Sequence, residues 1–170
     1  LGMGSLCDAY GDHNRALRYY QKISSIDHAI SSRSLRLKFK LHMVASLLLL
    51  NRITAASDLL NECEELSILV SDKLLTAQIL LYQAKVLRAK KKYHEALRCL
   101  SKVQYPANST QAGWLATMTR LELAHCLSAT GKQDYASMIL SSTDKRVKAY
   151  SSPVLAKRFY DSLSDVCMNQ

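Results

Sequence analysis

The chain has 170 residues, enough for one compact domain with a substantial core. Hydrophobic residues make up 48% and charged residues 22%, as in ordinary soluble proteins, and only 5 Gly and 2 Pro disfavour a turn-rich sheet architecture. Lys and Arg number 23 against 14 Asp and Glu, so the formal net charge of +9 favours an acidic partner. The longest apolar run, 43–50, is too short to span a bilayer, and no signal-peptide pattern is visible. We therefore expect an intracellular protein, cytoplasmic or nuclear, with no membrane partner.

Apolar spacing and turn residues predict four helical hairpins and one further helix. The hairpins span residues 1–24, 32–66, 71–103 and 113–142, and the terminal helix spans 153–168. Pro153 suits the first turn of that last helix. The segment 105–113 is the clearest loop, because it holds Pro, Asn and Gly, and 143–152 is predicted as a basic connection.

Several residues are candidate helix starts. Ser32 or Ser34 can cap the third helix and Thr54 the fourth, because a hydroxyl accepts a hydrogen bond from the first turn. Ser71 and Asp72 give the fifth helix a polar start with an acid in its first turn.

One interval of 40 residues relates the four hairpins. It links Ala16, Ala56, Ala96 and Ala136. Four residues later the same step gives large side chains: Tyr20, Leu60, Leu100 and Leu140. Twelve residues earlier it gives small or medium ones: Gly4, Val44, Ala84 and Ala124. Small residues let two helix backbones approach closely, and larger ones a turn away fill the flanking grooves. A hairpin of this kind must stack on a neighbour to bury its apolar face.

Five residues before each alanine comes a residue suited to a helix end. These are Gly11, Asn51, Lys91 and Gly131. Gly and Asn tolerate the left-handed backbone that closes a helix. Lys91 is the exception, and we expect it to suit a helix C-terminus through its charge instead.

This order of small residue, leucine, turn residue, alanine and large residue resembles the tetratricopeptide repeat. The best copies are Ala84, Leu87, Tyr93, Ala96 and Leu100, and then Ala124, Leu127, Gly131, Ala136 and Leu140. The family's usual period is about 34 residues, so a step of 40 implies longer helices or loops. The resemblance implies an all-α, right-handed solenoid with a terminal helix, forming one domain over 1–170 that we expect to be a fragment of a longer protein.

Catalytic and metal-binding patterns are sparse. His125 and Cys126 form the sole adjacent His/Cys pair, and no motif supplies the orienting group and oxyanion pocket that a nucleophile requires. The five cysteines include no CxxC pair and are best explained as small buried hydrophobic residues. We therefore predict a non-enzymatic protein with no cofactor and no metal.

The resemblance implies that the first helix of each hairpin lines a concave face that binds a protein partner. The predicted contact residues mix basic, aromatic and apolar types: Lys38, His42, Gln78, Tyr82, Lys85, Arg88, Met118, Glu122, His125 and Arg158. Such a surface suits an extended peptide or a helix with acidic and apolar contacts. We therefore predict an interaction scaffold or adaptor within a multi-subunit assembly.

Three alternatives stay open. A basic solenoid could instead bind nucleic acid through its phosphates, although basic clusters are scattered and no base-reading pair recurs in each hairpin. An enzyme or regulatory subunit would require His125 and Cys126 to line a closed pocket. A structural spacer would self-associate through the apolar ends of its solenoid.

Overall fold

The computed structural model describes residues 2–24, 32–103 and 110–149, together with Tyr160 and Ser164. Regular structure in these ranges is entirely α-helical, which confirms the all-α prediction. The helices are α1 (Gly2–Ala9), α2 (His13–Ser24), α3 (Arg33–Leu49), α4 (Ile53–Ile68), α5 (Lys73–Ala89), α6 (Tyr93–Ser101), α7 (Thr110–Ala129) and α8 (Gln133–Ala149). The chain divides into two compact units, Leu1–Val86 and Leu87–Gln170, and the boundary falls within α5. The predicted terminal helix over 153–168 lies outside the described residues, except for Tyr160 and Ser164, which are helical.

One turn, repeated four times, joins the two helices of each pair. Between α1 and α2, the Asp12 N–H donates to the Cys7 carbonyl (2.9 Å) and the Gly11 N–H donates to the Asp8 carbonyl (3.1 Å). This is the Schellman arrangement, which satisfies carbonyls left open at a helix end. The bond that spans five residues recurs in the other three turns. It joins the N–H of Arg52 to the carbonyl of Leu47 (2.8 Å), Lys92 to Leu87 (2.8 Å) and Lys132 to Leu127 (2.9 Å). Asp12 then accepts the first bond of α2 from the Ala16 N–H (3.0 Å), so the stop of one helix is also the start of the next.

The central residue of every turn is left-handed. The φ angles are 83° at Gly11, 56° at Asn51, 59° at Lys91 and 77° at Gly131. The expectation that Lys91 would differ from the other three was wrong. The turn geometry, and not the side chain, dictates this backbone conformation, so Lys91 adopts a region that residues with a Cβ disfavour.

The repeated columns form the core of each helix pair. All four alanines of the 40-residue series are 0% exposed. The large residues four positions later are buried as well: Tyr20, Leu60, Leu100 and Leu140. The same is true twelve positions earlier at Gly4, Val44, Ala84 and Ala124. The sequence period therefore corresponds to recurrent burial at equivalent positions.

In the first unit the buried core continues across α2, α3, α4 and α5. Leu17 of α2 joins Leu37 and Val44 of α3, Leu60 of α4 and Ile79 of α5 in one cluster. A second cluster joins α1, α2 and α3 through residues Cys7, Ala16, Tyr20 and Phe39. Neighbouring helices α1 and α2, α2 and α3, and α3 and α4 pack directly. In the second unit α7 packs against both α6 and α8.

Of the predicted helix starts, Ser32 is confirmed as a cap, whereas Asp72 lies just before α5 and not in its first turn, where an acid was predicted. Ser32 caps α3, because its hydroxyl accepts from the Leu35 N–H (3.3 Å). Asp72 caps α5 by accepting from the N–H groups of Leu74 and Leu75 (2.9 and 3.2 Å). Thr54 does not cap α4, which begins one residue earlier at Ile53. The preceding turn already fixes that start, so a capping hydroxyl is not required.

Two segments predicted as connections are helical. Helix α7 begins at Thr110, inside the predicted loop 105–113, whose residues up to 109 lie outside the described part of the chain. One glycine within a helix costs only about 1 kcal/mol, so Gly113 does not break it. Helix α8 continues to Ala149 through the predicted basic connection. Thr143 is fully buried and its hydroxyl donates to the Ile139 carbonyl (2.7 Å), which extends the core face of α8 beyond Leu140.

Candidate functional site

The predicted contact residues of α3 lie at its surface and near its contact with α2. Lys38 is exposed, and His42, one turn later, is partly buried. The imidazole of His42 stacks on the Tyr20 ring, with centroids 5.5 Å apart and an angle of 23° between the planes. Burial lowers the pKa of His42, and the neighbouring Asp8 carboxylate opposes that shift in part. His42 is thus a largely neutral aromatic surface at neutral pH, flanked by the charge of Lys38.

On α5, the equivalent residues form a second basic and aromatic group. Gln78, Tyr82 and Lys85 are all partly buried. The Lys85 Nζ lies 6.0 Å from the centre of the Tyr82 ring, at the outer limit of a cation–π contact. Tyr82 occupies the position of His42 one repeat later, so an aromatic ring stands at this position in two successive hairpins.

Two of the remaining predicted residues are buried. Arg88 donates from Nε to the Glu122 carboxylate, whose side chain is 4% exposed. Met118, one turn before Glu122, is buried as well, whereas His125 is partly buried. Arg88 and Glu122 thus contact each other within the protein. Because Met118 and Glu122 are buried, they offer almost no surface to a partner. Arg158 lies outside the described residues.

A polar network that the sequence analysis missed links α1, α2 and α3. The carboxylate of Asp8 accepts from the Tyr20 hydroxyl (3.0 Å) and the Ser46 hydroxyl (3.1 Å), and its Oδ1 lies 2.9 Å from Nδ1 of His13. Ser46 and Tyr20 are fully buried. Burial is the main cause that raises the pKa of Tyr20 to about 12, and the hydrogen bond to Asp8 contributes. The network is a cross-link between three helices, because Asp8 of α1 contacts Tyr20 of α2 and Ser46 of α3.

Signals for this network were present in the repeat columns. Tyr20 stands where the other copies have leucine, and Ser46 stands where Val86 and Cys126 occur. A polar atom at a position that is apolar in other copies requires a buried partner. Asp8 supplies it, although nothing in the spacing alone identifies the carboxylate.

The His125–Cys126 pair does not have the properties of a nucleophile and its base. Cys126 is fully buried, and burial raises the pKa of its thiol to about 12. The thiolate is the reactive form of cysteine, and this environment suppresses it. Within the described residues, no three His, Cys, Asp or Glu side chains are grouped as metal ligands.

A basic surface on α2 was also missed. Arg15, Arg18 and Lys22 are exposed and recur at helical spacing, and with the partly buried Tyr19 they line a cavity of about 190 Å³. The neighbouring Tyr19 side chain is the main cause that raises the pKa of Arg15. The group is hard to recognise in the sequence because its members are three and four residues apart and form no continuous basic run.

None of the helices in the described ranges has both the length and the apolar character needed to cross a membrane. Comparisons with protein-family models, curated proteins and solved structures found no match to this chain.

Proposed function

We propose that the chain is a right-handed solenoid of tetratricopeptide-like hairpins that acts as a non-catalytic protein-interaction scaffold. The observation that carries the proposal is a turn that occurs four times, at intervals of 40 residues. Each copy has the same hydrogen bonds and a residue with left-handed backbone at the same position. Identical turns and identical buried columns are what stacked repeats require. The packing of α2 on α3, and of α6 on α7, supports stacking of successive hairpins within each unit.

The partner surface that we propose is narrower than the predicted one. It uses the first helices of the second and third hairpins, where Lys38, His42, Tyr82 and Lys85 are exposed or partly buried. In a solenoid, His42 and Tyr82 would lie in adjacent rows, because they share one repeat position. Two aromatic rings flanked by two lysines suit a peptide or helix that combines apolar and acidic side chains.

A photo-crosslinking experiment tests this surface and separates it from the nucleic-acid alternative. Benzoylphenylalanine in place of Tyr82 should give discrete protein adducts in cells, and Lys38→Glu with Lys85→Glu should abolish them. Benzoylphenylalanine in place of the exposed Tyr135 is the matched control and should not give the same adducts. Adducts to nucleic acid, or the same adducts from both positions, would contradict the proposal.

A second candidate property is self-association through α1. Met3 and Leu6 of this helix, and Tyr10 just after its end, are exposed large hydrophobic residues. Leu6 is 50% exposed, whereas Ser46, Val86 and Cys126 at the same repeat position are buried. We propose that a second copy of the chain covers Met3, Leu6 and Tyr10. Sedimentation should then show a concentration-dependent dimer that Leu6→Glu abolishes, and a monomer at every concentration would exclude it.

A further inference from the structure

The basic surface of α2 is not demanded by the repeat architecture. Arg15, Arg18 and Lys22 have nine counterparts in the other three hairpins, at positions related by the 40-residue step. These counterparts are Ala55, Asp58, Glu62, Glu95, Arg98, Lys102, Tyr135, Met138 and Ser142. All nine are exposed, like the three cations themselves. The same fold therefore accepts neutral and acidic residues at these positions. Among the four hairpins, only the first has cations at all three positions, whereas the third has two, Arg98 and Lys102.

The cations converge on one small cavity. Arg15, Arg18, Tyr19 and Lys22 line about 190 Å³, below the roughly 300–1,000 Å³ of pockets that hold small organic ligands. A cavity of this size suits a single side-chain-sized group. The Asp12 carboxylate accepts the backbone N–H of Arg15 (3.0 Å) at the start of α2.

We propose that this cavity binds a phosphorylated serine or threonine side chain of a partner protein. Planar guanidinium groups match the oxygen geometry of a phosphate, and clusters of arginine are a recurrent means of recognising phosphorylated peptides. Three positive charges match a phosphate, which carries nearly two negative charges at neutral pH, better than a carboxylate with one. The phenol of Tyr19, held beside Arg15, adds a hydrogen-bonding group to the wall of the cavity.

Nucleic acid fits this surface less well. Nucleic-acid binding depends on a series of phosphate contacts along the backbone. The cations here line one cavity on one helix, and the equivalent face of the second hairpin carries Asp58 and Glu62. A single phosphate group is therefore the better match. The site lies on a second helix, apart from the first-helix residues of the proposed partner surface, and the inference does not depend on that surface.

The test uses the full chain and three short fluorescent peptides that differ at one residue. The central residue is phosphoserine, glutamate or serine, with glycine and alanine elsewhere, and binding is followed by fluorescence anisotropy. We expect the phosphoserine peptide to bind at least about tenfold more tightly than the glutamate peptide. Arg15→Gln with Arg18→Gln should remove at least about tenfold of that affinity while leaving the helical circular dichroism unchanged.

The matched control removes the same charge from elsewhere on the first unit. Arg52 and Lys73 are both exposed and belong to neither proposed site, so Arg52→Gln with Lys73→Gln should leave phosphopeptide binding within about twofold. Equal losses in the two double variants, or equal binding of the phosphoserine and glutamate peptides, would overturn the proposal. So would tighter binding of single-stranded oligonucleotides or anionic lipid vesicles that depends on Arg15 and Arg18. Because Lys38 belongs to the proposed partner surface and Arg15 does not, failure of one site leaves the other testable.

Discussion

A Cβ atom added to Gly4 would lie 2.5 Å from Cε1 of Tyr20 and 2.7 Å from its Cζ. The ring cannot move away easily, because the Tyr20 hydroxyl donates to Asp8 and His42 stacks on the ring. The other copies combine alanine or valine with leucine at these two positions, so glycine and tyrosine form a matched pair.

Gly4→Ala should therefore destabilise the protein by about 1–3 kcal/mol, the usual cost of overpacking. Urea unfolding measures the loss. Gly2→Ala is the control, since a Cβ there meets nothing within 4 Å. Adding Tyr20→Leu to Gly4→Ala should cost less than the sum of the two single changes, and strict additivity would show that the two residues do not compete for space.

Lys91→Gly should stabilise the protein by about 1 kcal/mol, because Lys91 has a φ of 59° and glycine adopts this region without a Cβ clash. The urea midpoint should rise accordingly. Lys91→Ala separates charge from conformation, since it removes the ammonium but keeps the Cβ. It should leave the free energy of unfolding within about 0.5 kcal/mol, and a gain equal to that of glycine would argue that charge and not backbone strain is responsible.

The stability of the protein should fall as the pH falls below about 6.5, in part through His42. Burial lowers the pKa of folded His42, so the unfolded chain takes up this proton first as the pH falls, and protonation favours unfolding. His42→Phe keeps a ring against Tyr20 and should reduce the acid-side decline in the free energy of unfolding. His94→Phe replaces an exposed histidine and serves as the control. Superimposable pH profiles for wild type and His42→Phe would refute this account.

Loss of the Arg88 guanidinium should destabilise the second unit by about 2 kcal/mol, because the buried Glu122 carboxylate would lose a charged donor. Arg88→Met retains most of the aliphatic stem, and thermal or urea unfolding measures the effect. Lys92→Met provides the comparison, since its pair with Glu95 (3.3 Å) is about half exposed and should contribute less than about 0.5 kcal/mol. Equal losses in the two variants would mean that burial of Glu122 does not matter.

The thiols of Cys63 and Cys126 should resist alkylation in the folded protein at mildly alkaline pH. Both are fully buried, and burial raises the pKa of each to about 12. Cys99 is partly exposed and is the internal reference. Iodoacetamide treatment followed by peptide mapping should show Cys99 modified first, and all three modified after denaturation. Modification of native Cys126 at the rate of Cys99 would show that its surroundings open readily.

Periodic features of this fold were predictable from the sequence, whereas its polar contacts were not. The alanine series and the large residues that follow it depend on helix packing, which imposes a fixed spacing on the chain. The backbone conformation of Lys91 was predicted wrongly because the turn imposes the left-handed conformation, and a lysine in the sequence gives no indication of it. The helical continuation of α8 beyond Ser142 was missed because basic residues are compatible with both a helix and a linker.

The candidate site was less predictable because exposure depends on neighbours. Met118 and Glu122 occupy positions that the resemblance assigns to an open face, but packing and the contact with Arg88 bury them. Asp8 was overlooked for the opposite reason, since a single acid near a helix end is normally solvated. Asp8 links three helices because the fold brings Tyr20, His13 and Ser46 within hydrogen-bonding distance of its carboxylate.

The contact of Asp8 with Ser46 should also favour packing of the first hairpin on the second. If the contact surfaces between these related hairpins were purely apolar, the first hairpin could pack on the third or fourth in place of the second. Such mispairing is a hazard in repetitive chains. Val86 and Cys126 stand where Ser46 meets Asp8. A misplaced first hairpin would therefore face a side chain unable to replace the serine hydroxyl, leaving the acid poorly solvated. We therefore expect the contact between Asp8 of α1 and Ser46 of α3 to disfavour exchange of hairpins within or between molecules.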